Sequence, residues 1–320
     1  MTRWPLWLNS VINVRMDNVN DKNLPPAYKA GFVAVMGRPN VGKSTLINTL
    51  LGQKVAAVSP RPQTTRKRQM GILSLEDAQI VFVDTPGVHE PRHKLGVNMN
   101  QEAVGTLQDS DVILWVVDVS ARPHPDEQIL AGHLRAIKRS MPVVMALNKV
   151  DLVDEGSLQS NQAAFIELAP NAQTIAISAT RKENLGDLVS IILDNLKEGF
   201  PYFPEDQITD LYEREIAADL IRETALKILR EEVPHGIAVR IDQYTERNEH
   251  GAYIEATIFV EKESHKPILI GKGGKMLKNI GTGARTAIES MSGRKVFLRL
   301  RVKVRKNWRN DEKVLRRFGY

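Results

Sequence analysis

Between Gly31 and Leu196, short apolar runs alternate with longer stretches in which apolar residues recur every three or four positions. The runs are Phe32–Met36, Gln69–Ser74, Gln79–Val83, Val112–Val117, Pro142–Leu147 and Thr174–Ile177, and they have the length of buried strands. Between them, residues such as Leu130, Leu134 and Ile137 keep the period of a helix laid on a sheet. This alternation predicts a doubly wound, mostly parallel α/β sheet. Its last helix is expected over Leu185–Leu196, with Leu185, Leu188, Val189, Ile192 and Leu196 on its apolar face. Gly199-Phe-Pro-Tyr-Phe-Pro204 then breaks regular structure, because prolines at 201 and 204 cannot sustain a helix. The boundary belongs there, giving a first domain over 31–199, a linker over 200–206 and a second domain over 207–320.

The second domain opens with an expected amphipathic helix, about Gln207 to Glu232, carrying Ile216, Leu220, Ile221, Ala225, Ile228 and Leu229 on one face. Strands Ile237–Tyr244 and Ala252–Val260 follow, joined by a turn at 247–251, then a short helix before Gly271, a helix over Lys275–Met291, a strand over Lys295–Val304 and a terminal helix. The order is α-β-β-α-α-β-α. Residues 1–30 are expected to be a disordered leader: Pro5 interrupts the apolar start, no signal-peptide core follows, and Pro25-Pro26 sits in a polar stretch. Met16 is an alternative start. No apolar run approaches the roughly 18 residues of a membrane span.

Composition adds two constraints. The 320 residues contain no cysteine, which excludes disulfides, thiolate metal sites and cysteine nucleophiles and suits a reducing compartment. The net charge of +6 is unevenly spread: basic residues number 21 against 20 acidic up to position 200, 7 against 15 over 201–265, and 16 against 3 over 266–320. A basic C-terminal block is the electrostatic footprint of a nucleic-acid surface, and an anionic membrane surface would attract it too.

The chemistry lies at the ends of the apolar runs. Gly37-Arg-Pro-Asn-Val-Gly42-Lys43-Ser44 fits G-x-x-x-x-G-K-[ST] between a strand and a helix. Its glycines let backbone N–H groups wrap a phosphate, Lys43 bridges the terminal phosphates, and Ser44 ligates Mg²⁺. Asp84-Thr-Pro-Gly87 ends another run, placing Asp84 to hold Mg²⁺ through water and the Gly87 amide to approach the γ-phosphate. Asn148-Lys149-Val150-Asp151 ends a third. The Asp151 carboxylate can accept from N1–H and the exocyclic amine of guanine, donors adenine lacks at that edge, so the nucleotide is GTP or GDP. Lys149 lies over the ring, and Ser178-Ala179 puts backbone N–H near guanine O6. The nucleotide-binding set is Gly37, Asn40, Val41, Gly42, Lys43, Ser44, Thr45, Asp84, Thr85, Pro86, Gly87, Asn148, Lys149, Asp151, Ser178 and Ala179.

Together these motifs resemble a translation-factor-type GTPase over Gly31 to about Leu196. Within that superfamily, Pro62-Gln-Thr-Thr-Arg66 resembles the first switch of the bacterial ribosome-assembly and tRNA-modification GTPases. The resemblance implies that Thr65, with Thr64 as the other candidate, joins Ser44 and Asp84 around Mg²⁺, and that Asn40 helps hold a K⁺ ion beside the phosphates. Lys43, Thr65, Asp84 and Gly87 are then the catalytic set. Many signalling GTPases place a water-orienting glutamine after Asp-x-x-Gly, whereas this chain has Val88, so slow intrinsic turnover is expected. His89 and His93 have Pro91 between them and no third ligand nearby, so zinc is not expected.

In the second domain, Ile268-Leu-Ile-Gly271-Lys272-Gly273-Gly274-Lys275 puts G-x-x-G between two helices, where a KH domain clamps about four nucleotides of backbone. The glycines allow close approach of phosphates, and Lys272, Lys275 and Lys278 supply charge. In the basic strand, Arg299, Arg301, Lys303 and Arg305 share a face, and single-stranded RNA is the expected ligand. A GTPase followed by an α+β type 2 KH domain, with these two motifs, resembles the Era family over about 31–320. That resemblance implies binding to the 3′ region of 16S ribosomal RNA, assistance in 30S assembly, a monomer, and a cytoplasmic location partly at the inner membrane face. The alternative is that GTP controls docking of the basic domain to a protein or an anionic membrane.

Overall fold

The computed structural model describes residues 28–58, 65, 66, 68–87, 91, 93–137, 141–210, 213–229, 233, 236–248, 251–318 and 320. Val88, Thr64, His89, Met16 and the leader up to residue 27 lie outside them. Packing divides the chain into two compact units. The first runs to Lys54 and takes up Lys67–Glu90 and Asn100–Asp210; the second gathers Val55–Arg66, Pro91–Met99 and Leu211–Tyr320.

The first unit holds a six-stranded sheet of β1 (Lys29–Met36), β2 (Gln69–Ser74), β3 (Ala78–Asp84), β4 (Val112–Asp118), β5 (Val143–Asn148) and β6 (Gln173–Ile177), in the order β2-β3-β1-β4-β5-β6. Only β2 runs antiparallel to its neighbour. β3 and β4 are buried along their whole length, the mark of strands covered on both faces. Helices α1 (Lys43–Leu51), α2 (Lys94–Gln108, of which the part up to Met99 is counted with the second unit), α3 (Pro125–Ala136), α4 (Glu155–Ile166) and α5 (Leu185–Asn195) connect them. The chain leaves β1 for one side of the sheet and returns to its other side at β4, so the crevice at the C-terminal end of β1 is the switch point where such sheets bind ligands. Register aligns the strand ends there: Val35 pairs with Asp84, Met36 with Trp115, and Asp118 with Asn148.

The structure corrects the expected linker and the start of the next helix. The stretch 200–210 is tied to the first unit. The buried Gln79 side chain accepts from the backbone N–H groups of Tyr202 and Phe203 and donates to the Phe203 carbonyl. Tyr202 packs on Phe32, and Ile72 N–H donates to the Ile208 carbonyl. Ile208 and Thr209 give their backbone, and Asp210 its carboxylate, to the edge of β2 rather than to a helix, and helix α6 runs from Glu213 to Ile228.

The second unit holds α6, a three-stranded sheet of β7 (Ala238–Asn248), β8 (Gly251–Val260) and β9 (Lys295–Val304), and helices α7 (His265–Ile270), α8 (Lys275–Ser292) and α9 (Glu312–Phe318). β8 lies at the centre, antiparallel to β7 and parallel to β9. One sheet face packs Ile254, Ala256, Ile258 and Val296 against Ile280, Ala284 and Ile288 of α8 and Leu220 and Ile221 of α6. A second core gathers Trp308, Leu315 and Phe318 with Phe259, Leu95 and Met99. Arg66, from the 55–66 segment, is buried against this core: it donates to the Ile237 carbonyl at 2.8 Å and lies over the rings of Trp308 and Tyr320. Burial pushes its guanidinium down to about 10. Among the described residues, no helix is long and apolar enough to cross a membrane.

Candidate functional site

The loop from Gly37 to Ser44 turns from β1 into α1 through left-handed conformations at Asn40 and Gly42. Gly42 has φ 105°, and a Cβ there would lie 2.4 Å from Nδ2 of Asn148. That contact explains the glycine and ties two of the predicted motifs together. Asn148 donates to the Val41 carbonyl at 2.8 Å and accepts from the Ala179 N–H at 3.0 Å. The phosphate loop, the β5 end and the loop after β6 are thereby one hydrogen-bonded cluster. Its third side is closed by Thr49, whose hydroxyl donates to the Ala179 carbonyl at 3.1 Å.

Lys43 is 6% exposed and donates to the carbonyls of Gly37 at 2.9 Å and Arg38 at 3.1 Å. Burial pushes its ammonium down to about 8; the Asp84 carboxylate pulls the other way, and Arg38 adds to the depression. A cation in this setting gains from an anion brought beside it. The Ser44 hydroxyl donates to Asp84 at 2.9 Å, so the two predicted Mg²⁺ ligands of this unit are neighbours at the ends of α1 and β3. Thr85 donates to the Val35 carbonyl at 2.8 Å, and Gly87 runs against Pro39 so closely that a Cβ would meet its backbone nitrogen at 2.8 Å. Thr65 is buried in the segment that packs with the second unit.

On the base side, Asp151 accepts from the Ser178 hydroxyl at 2.7 Å, and the Arg181 N–H donates to that hydroxyl at 3.1 Å. The carboxylate is thus aimed by a side chain whose backbone also lies in the predicted guanine loop. Lys149, in a left-handed conformation with φ 71°, donates to the Asn40 carbonyl at 2.9 Å and to Asp118 at 2.6 Å. Asp118 was not among the residues expected from the motifs. Burial works to raise its pKa, but hydrogen bonds from Lys149 and Ser120 outweigh that and hold it below the usual carboxylate range. Asp118 also faces Arg38 at 3.7 Å, and Arg38 donates to buried Glu127 at 3.0 Å. The sequence signal was present: Asp118 ends an apolar strand, as Asp84 and Asn148 do.

In the second unit, the predicted loop has three glycines with positive φ, Gly271 (φ 72°), Gly273 (φ 59°) and Gly274 (φ 76°), the last two left-handed. Added Cβ atoms at Gly273 and Gly274 would meet nothing within 4 Å, so the strain there is purely backbone and the loop surface is open. Lys272, Lys275 and Lys278 are exposed around it. Between α8 and β9 runs a groove of about 450 Å³, lined by Gly274, Leu277, Lys278, Gly281, Thr282 and Arg285 on the helix side and by 296–300 on the strand side. The basic residues of β9 point away from the helices: Val296, Leu298 and Leu300 pack toward the core, while Arg299, Arg301 and Lys303 stand on the other face. Arg305 follows the strand and pairs with Asp311 at 3.4 Å. No group of three or more His, Asp or Glu residues suited to a metal occurs among the described residues, and that includes His93.

A family described as 50S ribosome-binding GTPase matches residues 32–149, and one described as KH domain matches residues 232–309. The chain is 46% identical to the GTPase Era of Halothermothrix orenii, over 92% of this chain and 99% of that protein. It is also 46% identical to the GTPase Era of Caldanaerobacter subterraneus subsp. tengcongensis, over 92% and 98%. Among solved structures, an Era in complex with MgGDPNP and nucleotides 1506–1542 of 16S ribosomal RNA matches with a TM-score of 0.86 at 42% identity, covering 92% of this chain and 99% of that one. A single-substitution variant of Aquifex aeolicus Era bound to GDP.AlF4- matches with a TM-score of 0.85 at 42% identity, covering 91% and 99%. With a phosphate loop, a guanine loop and a G-x-x-G loop each built as described, and with this identity sustained over nearly the full length of its relatives, the chain belongs to the Era family of GTPases.

Proposed function

We propose that this protein is a GTP-hydrolysing switch that binds the 3′ region of 16S ribosomal RNA and assists assembly of the 30S subunit in the cytoplasm. The observation that supports the reading is that one chain carries a hydrogen-bonded cluster of its phosphate loop with the predicted guanine loops and an open, lysine-rimmed G-x-x-G loop. Lys43 supplies a desolvated charge to the terminal phosphates, the loop N–H groups and the start of α1 cradle them, and Asp151 selects guanine by its paired hydrogen bonds. Ser44 and Asp84 offer adjacent hard oxygen ligands, which suits Mg²⁺, and Thr65 is their proposed partner in the GTP state. When bound, Mg²⁺ neutralises charge building on the phosphate oxygens. Gly87 contributes its amide at the γ-phosphate position. Because Val88 cannot hydrogen-bond to water through its side chain, turnover is slow without further help, and Val88→Gln does not restore it. K⁺ held beside Asn40 is part of the reading; equal turnover in Na⁺ and K⁺ would remove it.

Phosphates of unpaired RNA lie over Gly271, Gly273 and Gly274, with Lys272, Lys275 and Lys278 as counter-charges. Crosslinking the protein to cellular RNA and sequencing the footprint tests this. The expected footprint clusters at the 3′ end of 16S RNA and disappears in Gly273→Asp, whose carboxylate repels phosphates where a side chain meets open space. A footprint spread over unrelated RNAs, or strong binding to anionic vesicles with none to RNA, would refute it.

A further inference from the structure

The three-stranded sheet of the second unit has one face covered by α6 and α8 and another face with a distinct chemistry. On β8 and β9 the odd-numbered residues stand on that other face. Tyr253 and Phe297 are register partners there, and their rings stack at 5.4 Å between centroids with only 8° between planes. Because β9 is the edge strand, this stack runs across the sheet and ends at Phe297, which is 63% exposed. At that exposure much of the Phe297 ring beyond its contact with Tyr253 is open to solvent. Along the same strand, Lys295, Arg299, Arg301 and Lys303 flank it. Glu255 is the acidic residue between them, and it holds Arg299 at 3.2 Å and Arg301 at 3.1 Å, so two half-exposed guanidiniums are fixed side by side on one carboxylate. Tyr253 also donates to Glu255, which links the arginines to the aromatic pair. Farther across the sheet, Arg240 is balanced by Asp242.

We propose that this outer face is a second RNA-contact surface, on which Phe297 takes an unpaired base as the next ring of its stack while Arg299 and Arg301 hold the adjoining phosphates. The proposal rests on the RNA-binding reading above and extends it to a different surface. Cations with an accessible ring call for a ligand that is both anionic and aromatic, and unpaired nucleic acid is both. Continuity favours the same RNA molecule: the groove beside the G-x-x-G loop is bounded on its strand side by Phe297 and Arg299, so a strand longer than the loop can grip passes over the β9 edge onto this face. A G-x-x-G loop holds about four nucleotides, which leaves the remainder of a longer RNA to be bound elsewhere.

The test measures binding of the full chain to two labelled RNAs from the 3′ end of 16S RNA, one of about four nucleotides and one of about twelve. Phe297→Ala is expected to weaken the longer RNA by about 5-fold to 150-fold, the range for losing one base–aromatic stack, and to leave the shorter unchanged. Phe297→Trp retains the binding, which separates ring stacking from a fold defect. Arg301→Ala lowers the slope of log affinity against log salt by about one for the longer RNA alone. Equal binding of the longer RNA by Phe297→Ala and the unsubstituted protein would overturn the inference even where Gly273→Asp abolishes binding of both RNAs. Failure of the unsubstituted protein to bind either RNA would overturn the inference and the RNA reading together.

Discussion

Gly42→Ala is the substitution that most directly probes how the nucleotide crevice is assembled. An alanine at φ 105° sits in a region L-residues rarely adopt, at a cost of about 1–3 kcal/mol. Its Cβ would also stand 2.4 Å from Asn148 Nδ2, so the amide must move. Moving it breaks the bonds to the Val41 carbonyl and from the Ala179 N–H, each worth about 0.5–1.5 kcal/mol. The total of about 2–6 kcal/mol falls on the nucleotide-competent geometry and corresponds to about a thirtyfold to twenty-thousandfold loss of GDP affinity. Titration with a fluorescent GDP analogue measures it. Gly105→Ala is the control: its Cβ meets nothing within 4 Å in the interior of α2, so it should stabilise the protein by about 0.5–1 kcal/mol and leave GDP affinity alone. If Gly42→Ala binds GDP within about threefold of the unsubstituted protein, Asn148 does not couple the phosphate and guanine loops as argued.

Three further outcomes are expected. The Lys43 pKa, lowered from 10.5 to about 8, penalises the nucleotide-free fold fully below about pH 8 and progressively less as pH rises toward 10.5. Phosphate binding restores the proton, so calorimetry of GDP binding near pH 8.5, in buffers of different ionisation enthalpy, should show proton uptake that Lys43→Met abolishes. Asp151→Asn should weaken GDP by at least about a hundredfold and admit xanthosine diphosphate, whose C2 carbonyl accepts where guanine donates; retained GDP affinity would show that Asp151 does not read the base. Gln79→Leu leaves the backbone of Tyr202 and Phe203 without its buried partner and should cost about 2–4 kcal/mol in thermal or denaturant unfolding, with GDP affinity unchanged once folded.

Most of the first unit was legible because its chemistry obeys one rule: functional residues terminate apolar strands. β2 was expected over Gln69–Ser74 and forms there, and the end of β3 and of β5 delivers Asp84 and Asn148 to one edge. In the second unit β9 likewise forms over Lys295–Val304, because basic residues alternate with apolar ones at every position but Phe297, the pattern of a strand with two unlike faces. What escaped were roles set by partners distant in sequence. The bonds from Gln79 to Phe203 and from Arg66 to Ile237 span 124 and 171 positions, and no local pattern marks either residue. Asp118 orients Lys149 through a separation of 31, although its place at a strand end could have drawn notice. Periodicity also extended α6 too far toward its N-terminus, since residues 208–210 bond to the edge of β2 instead. The Tyr253–Phe297 stack depends on register between strands and is invisible in either strand alone.

For a GTP-hydrolysing switch that binds RNA, the bound guanine nucleotide must set the affinity for RNA. The most direct test is the affinity of the full chain for a single-stranded RNA from the 3′ end of 16S RNA, measured by fluorescence anisotropy with saturating GDP and with a non-hydrolysable GTP analogue. The account predicts tighter binding with the GTP analogue, and loss of binding in both states for Gly273→Asp. Equal affinity in the two nucleotide states would contradict it.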